Sequence, residues 1–283
     1  MLNNIEVRSA RIEDKDAVVA FCQHTFSWGD YIGEVFDDWV NNVKGVLLVA
    51  LIDQHPVGIL HELFLGNGVT WLEGMRVHPD YRRQKIGTQL DSAARQAARE
   101  HGLRLARLVT SMKNIPAQKT LATEGYHRVA QFNEWETEPA PEDFSFLRRA
   151  TENDIPEILA LWGDSEIRQA SQGVIPDRHW HWREIDAAYL REQIAADQVR
   201  VCSGGFVIVA ALEERDWNGL TIYALVADDE TASRIARAVR GEATYRGYAH
   251  VEATIADCAL LNTAFQHADY RTDGGLFLYE QAL

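Results

Sequence analysis

Apolar residues recur along this chain in two rhythms, one of period two and one near 3.6, and the succession of rhythms runs through twice. Three apolar stretches, 45–52, 57–65 and 70–77, are separated by Asp53-Gln-His-Pro56 and Gly66-Asn-Gly68 and read as a meander of strands. Ahead of it, 15–25 and 31–43 carry apolar residues at helical spacing; behind it come an amphipathic helix over 87–101 and a strand over 104–111. The second half repeats this grammar with helices at 155–162 and 182–196 and strands at 199–202, 206–212 and 220–226. Ser203-Gly-Gly205 and Asp216–Gly219 supply its turns, and a helix at 231–245 and a strand at 250–255 follow. A further helix and strand close each half.

The repeat is also visible in letters. Arg8-Ser-Ala-Arg-Ile-Glu-Asp14 returns as Arg148-Arg-Ala-Thr-Glu-Asn-Asp154, with Arg, Ala and Asp in register. Each Asp is expected to N-cap the helix that follows it. The economical reading is two copies of one α/β domain with a mixed sheet, 1–138 and 143–283, joined by Glu138-Pro-Ala-Pro-Glu142.

Charge narrows the partners. Residues 1–138 hold 15 basic and 18 acidic side chains, and the remainder 13 and 24, within a net charge of −14. An acidic second half argues against nucleic acid, which needs a basic face. The longest apolar runs, 46–52 and 206–212, fall far short of the ~20 residues that span a bilayer, so no membrane partner is expected. The opening Met1-Leu-Asn-Asn-Ile-Glu carries no signal core, which gives a cytoplasmic expectation. Cys22, Cys202 and Cys258 have no paired spacing, so neither a disulfide framework nor a metal site is expected.

The informative stretch is Trp71-Leu-Glu-Gly-Met-Arg-Val-His-Pro-Asp-Tyr-Arg-Arg-Gln-Lys-Ile-Gly-Thr88. A strand ends at Val77, His-Pro-Asp-Tyr turns the chain, and a basic loop runs straight into a helix. The unpaired amides of a helix start, with the positive end of its dipole, bind anions, and Arg82, Arg83 and Lys85 add charge. This segment resembles motif A of the GNAT superfamily of N-acyltransferases: Arg82, Ile86 and Gly87 fit, and Lys85 stands where glycine is usual. Asn114-x-x-Ala117 and Gly125-Tyr126 fit the family's later signature.

The resemblance implies tandem GNAT-like domains, each with a splayed, mostly antiparallel sheet flanked by helices. It implies acetyl-CoA as co-substrate, its pantetheine arm along Met75, Arg76 and Val77, its pyrophosphate on Arg82, Arg83, Gln84, Lys85, Ile86, Gly87 and Thr88, and Asn114 and Ala117 near the arm. Transfer of an acyl group to an amine needs a proton acceptor. Glu73, two residues before Met75 and so expected on its strand face, is the candidate general base. Adjacent His61 and Glu62 point to opposite faces, and one of them is expected to line the acceptor pocket. The tyrosine that the family places after Asn-x-x-Ala, as a proton donor to the thiolate, is Leu121 here. His78 at the turn is a weaker candidate base that reads first as structural, and Tyr126 reads as structural.

The equivalent loop of the second half, Val226-Ala-Asp-Asp-Glu-Thr-Ala-Ser233, has neither glycine nor arginine, so that domain reads as a degenerate copy without a cofactor site. Arg178-His-Trp-His-Trp-Arg183 reads as an aromatic segment capping a core or lining a pocket mouth. The expected activity is acetyl transfer to a primary amine of a small molecule or amino acid, by a monomer or homodimer. The alternatives are an acyl-CoA sensor without catalysis, or an enzyme acetylating protein N-termini or lysines.

Overall fold

The computed structural model describes residues 4–25, 29–214 and 217–283. They form two compact units, 1–109 with 116–127 and 279–283, and 110–115 with 128–278. The units therefore cross the join at 138–143 in both directions: unit 2 reaches back to Arg128, and unit 1 takes the last five residues.

In unit 1 the apolar alternation becomes β1 (Ile5–Ser9), β2 (Gly45–Ile52), β3 (His55–Gly66) and β4 (Val69–Val77), paired antiparallel in that order. Helices α1 (Lys15–Cys22) and α2 (Ile32–Asn41) bury one face of this sheet. Val18, Cys22, Ile32 and Phe36 pack there on Leu47, Val49, Leu51 and Ile59, all 2% exposed or less. The opposite face takes α3 (Ile86–Glu100), whose Ile86 and Leu90 sit over Gly58 so closely that a Cβ there would lie 2.8 Å from Ile86. A parallel strand β5 (Leu105–Ser111), one residue shorter than the span the pattern gave, and helix α4 (Ile115–Thr123) follow.

Unit 2 is built from β6 (His127–Thr137), β7 (Arg148–Arg149), α5 (Ile155–Gly163), α6 (Glu166–Ala170), the hairpin β8 (Val174–Pro176) and β9 (Trp182–Glu184), α7 (Ala187–Ala195), β10 (Val199–Cys202), β11 (Gly205–Glu214), β12 (Trp217–Val226), α8 (Asp229–Arg246), β13 (His250–Ala256), α9 (Ala259–His267) and β14 (Arg271–Ala282). Its strands run in the order β14-β6-β13-β12-β11-β10-β7, and the last residues of β14 lie beside β5 in unit 1. The helix expected over 182–196 is shorter than its apolar pattern suggested. Trp182 pairs with Pro176 in the hairpin, and α7 begins only after Asp186, whose carboxylate accepts the Tyr189 N–H at 2.7 Å. Asp216, the first residue of an expected turn, lies outside the described residues, and Trp217–Gly219 are already strand.

The repeat is confirmed at atomic level. Arg8 donates two hydrogen bonds to Asp14, at 2.8 and 2.9 Å, and Arg148 grips Asp154 in the same way. Each carboxylate also accepts a backbone N–H three residues upstream, from Arg11 and Thr151, both at 2.7 Å. The two Asp residues thus do not cap α1 and α5 from the front, as expected; they close the preceding 3₁₀ turn by reaching backwards. The join itself is packed: Arg240 of α8 donates to the Glu138 carbonyl at 3.1 Å, and a Cβ at Gly241 would collide with the Glu142 carbonyl.

Candidate functional site

Two interruptions of regular pairing create the site in unit 1. The first is between β4 and β5, which pair in parallel only at Val69/Leu105, Thr70/Ala106 and Trp71/Arg107. From Leu72 onward that edge of β4 is left without β5, so the splay expected from the resemblance is present, and its backbone groups can receive an extended ligand.

The second is a bulge inside β4. Ile59 faces Arg76 and His61 faces Glu73, so two residues of β4, Gly74 and Met75, oppose Leu60 alone. Gly74 has φ +65°, and a Cβ there would lie 2.5 Å from the Trp39 ring, so the position tolerates no side chain on either count. The bulge corrects the sequence reading of faces. Glu73 does not share a face with Met75 and Val77; the extra residue turns it onto the side of His61 and Arg76, toward α1 and α2.

On that side the side chains converge. Glu73 Oε1 lies 2.8 Å from His61 Nδ1, and the His61 ring stacks on Trp39 at 4.3 Å and 6°. The two partners differ in access: the Glu73 side chain is 17% exposed and that of His61 2%. His61 Nε2 is buried with no hydrogen-bond partner. Nδ1 is thus the ring nitrogen through which His61 meets Glu73. Arg76 donates to both oxygens of Asp30, at 2.7 and 3.2 Å, and lies over the Tyr31 ring. Of the adjacent pair His61 and Glu62, His61 is therefore the one facing this site.

Glu62 points the other way, toward α3, where it accepts the Thr70 hydroxyl at 2.8 Å. Burial pushes its carboxyl up to about 7. Tyr126 is structural, as expected: its hydroxyl donates to Asp91 at 2.7 Å, and burial beside that carboxylate drives its pKa upward. His78 holds the turn after β4, its Nδ1 accepting the Asp80 N–H at 3.2 Å.

The basic loop stands at the start of α3. Arg82, Arg83, Gln84 and Lys85 are all exposed, and Ile86, Gly87 and Thr88 form the first helical turn, whose amides point out of the helix. Arg83 and Lys85 both take left-handed backbone, with φ +62° and +64°. The glycine usual at Lys85 is thereby explained: the position needs positive φ, and lysine adopts it at a cost of about 1 kcal/mol. Gly87 leaves room beside the Met75 sulfur, 3.3 Å from where a Cβ would stand. The Thr88 hydroxyl is engaged by Glu124 at 2.8 Å. Ala117 is half-buried on α4, while Asn114, exposed ahead of it, belongs to unit 2. Leu121 sits on the same helix and offers no proton.

Unit 2 repeats both interruptions, a parallel β12–β13 pairing confined to Gly219–Ile222 and a bulge in β12, but differs in its loop and in the residues at the bulge. Its helix α8 is capped by its own residue: Asp228 accepts the Thr231 N–H at 2.8 Å, which places a carboxylate where an anion would dock. Pairing along β11 and β12 carries a bulge at Tyr223, and Val209 faces Ile222 where unit 1 has His61 facing Glu73.

The comparisons with known proteins agree with this arrangement. The profile of the acetyltransferase (GNAT) family matches residues 16–126. An aminoalkylphosphonate N-acetyltransferase from Salmonella typhimurium is 33% identical over 131 residues, 43% of this chain and 84% of the relative. Among solved structures, a GCN5-related N-acetyltransferase from Sphaerobacter thermophilus aligns with a TM-score of 0.67 at 13% identity, covering 98% of this chain and 95% of that one. A tandem GNAT protein from the clavulanic acid biosynthesis pathway aligns with 0.64 at 14%, covering 99% and 98%. The chain belongs to the GNAT acetyltransferase family and is an N-acetyltransferase of tandem form.

Proposed function

We propose that residues 1–138 bind acetyl-CoA and acetylate a primary amine of a small molecule, with Glu73 as general base, and that residues 143–283 are a copy without a cofactor site. The observation that carries this reading is the Glu73–His61 pair beside the open edge of β4. Bound acetyl-CoA would supply the thioester to be attacked. The residues fit it: the first-turn amides of α3 and the cations of Arg82, Arg83 and Lys85 suit a pyrophosphate, and β4 from Leu72 to Val77 runs on beyond its pairing with β5.

Glu73, the more accessible partner, takes the proton of the incoming ammonium so that the amine can attack. His61 holds one carboxylate oxygen through its Nδ1–H, and Trp39 fixes the ring by stacking. With Leu121 in place of a tyrosine, α4 supplies no donor, and the departing thiolate takes up the second proton lost from the amine nitrogen, relayed by water. A small acceptor is favoured because the curated relative is named for a small aminoalkyl acceptor. In the test, acetyl-CoA is incubated with aminoalkylphosphonates, amino acids, diamines and a lysine peptide, and free thiol is measured. Release with a small amine supports the proposal; release with the peptide alone, or with no amine while acetyl-CoA binds, overturns it.

A further inference from the structure

The aromatic segment around Trp180 borders a cavity of about 400 Å³ that lies wholly in unit 2. Strand register explains its floor. Thr221 of β12 faces Glu252 of β13, Glu252 faces Glu136 of β6, and Thr254 faces Glu134, so three carboxylates share one side of the sheet. Trp180, half-exposed at the tip of the β8–β9 hairpin, and Trp217 stand around them. The Trp217 indole donates to Glu252 at 3.0 Å.

The other charges on this wall are accounted for. Asp177 accepts the backbone N–H groups of His179 and His181, and Asp273 pairs with Lys113 at 3.0 Å. Arg271 is the guanidinium on the wall, and His250 stacks on Trp217 from the side. Among the described residues, none of Glu134, Glu136 and Glu252 has a salt bridge. Burial and mutual repulsion push Glu134 and Glu252 above the usual carboxylate range. Thr221 is 4% exposed, and its hydroxyl has no hydrogen-bond partner of good geometry.

Carboxylates that repel one another, a hydroxyl left unsatisfied and indole faces at the rim together describe a host for a cation with a carbon body. A metal ion is a poor occupant, since among the described residues no three ligating side chains converge on one point. We propose that this cavity binds a small organic ammonium ion, its charge among Glu134, Glu136 and Glu252 and its carbon chain against Trp180 and Trp217.

The test is calorimetric titration of the full chain, without acetyl-CoA, using 1,4-diaminobutane and tetramethylammonium, with succinate as the anionic control. Saturable binding of either cation is expected, weakened at least about tenfold by Trp180→Ala and by Glu252→Gln, and spared by His61→Ala. Trp180 is half-exposed, so its removal leaves the fold intact even if Glu252→Gln loosens the strand. Absence of saturable heat up to about 20 mM cation would overturn the proposal. So would binding that ignores both unit 2 substitutions, or binding lost only with His61→Ala, which would move the cation to unit 1.

Discussion

Glu73 and His61 face each other across β4 and β3, with carboxylate and Nδ1 2.8 Å apart, because a single bulge turns Glu73 onto the histidine's side of the sheet. The pair divides the work by access. If Glu73 is the base and His61 its positioning residue, Glu73→Gln should lower kcat about 10²- to 10⁴-fold and leave acetyl-CoA affinity unchanged. His61→Ala should cost about tenfold, and His61→Asn, whose amide can still donate, should recover part of it. Steady-state rates beside calorimetric affinities decide this; equal turnover of Glu73→Gln and wild type would remove Glu73 from the chemistry.

The bulge depends on Gly74. At φ +65°, with the Trp39 ring 2.5 Å from any Cβ, Gly74→Ala should lose about 2–4 kcal/mol of stability in a urea titration. It should also lower activity by displacing Trp39 from His61. A variant as stable as wild type would show that the close approach is not constraining.

Lys85 offers a test of the loop. Lys85→Gly relieves left-handed strain while Lys85→Ala keeps it, so the glycine variant should be more stable than the alanine variant by about 1 kcal/mol. Both should bind acetyl-CoA more weakly than wild type, having lost a cation near the pyrophosphate. An alanine variant as stable as the glycine variant would contradict the backbone argument.

Glu62 gives a pH dependence whose sign follows from burial. Its carboxyl is raised to about 7 in the folded chain, so its contribution to stability is fully present below the ordinary glutamate range. That contribution is lost as pH rises to about 7. Glu62→Gln, which can still accept the Thr70 hydroxyl, removes this loss. The stability difference between variant and wild type should grow by about 2 kcal/mol between pH 4 and 8. A difference that stays flat across that range would place Glu62 in a better-solvated setting than the structure gives it.

Much of the fold was legible because strand and helix periods differ and the pattern occurs twice. The Arg8–Asp14 and Arg148–Asp154 pairs are the same device written in the same letters. The β8–β9 hairpin escaped because its strands of three residues are too short for alternation to register, and Trp182 reads equally well as the start of a helix. Crossing of the join by β6 and the end of β14 leaves no trace in local sequence, since either closing strand carries the same pattern. At the candidate site, the basic loop and Glu73 stand out in the letters, but the His61 contact with Glu73 does not. Strict alternation assigned Glu73 to the wrong face, and only the positive φ at Gly74 corrects it. A glycine inside an otherwise apolar strand was the available signal.

The central claim is one working cofactor site beside a domain that caps its own helix. It is tested most directly by calorimetric titration of the purified chain with acetyl-CoA, read for stoichiometry, with Gly87→Trp as the control that fills the loop. The account predicts one site per chain, lost in Gly87→Trp with its circular dichroism unchanged. Two sites would show that Asp228 does not close the second loop, and no binding at millimolar ligand would show that the fold is present without its cofactor.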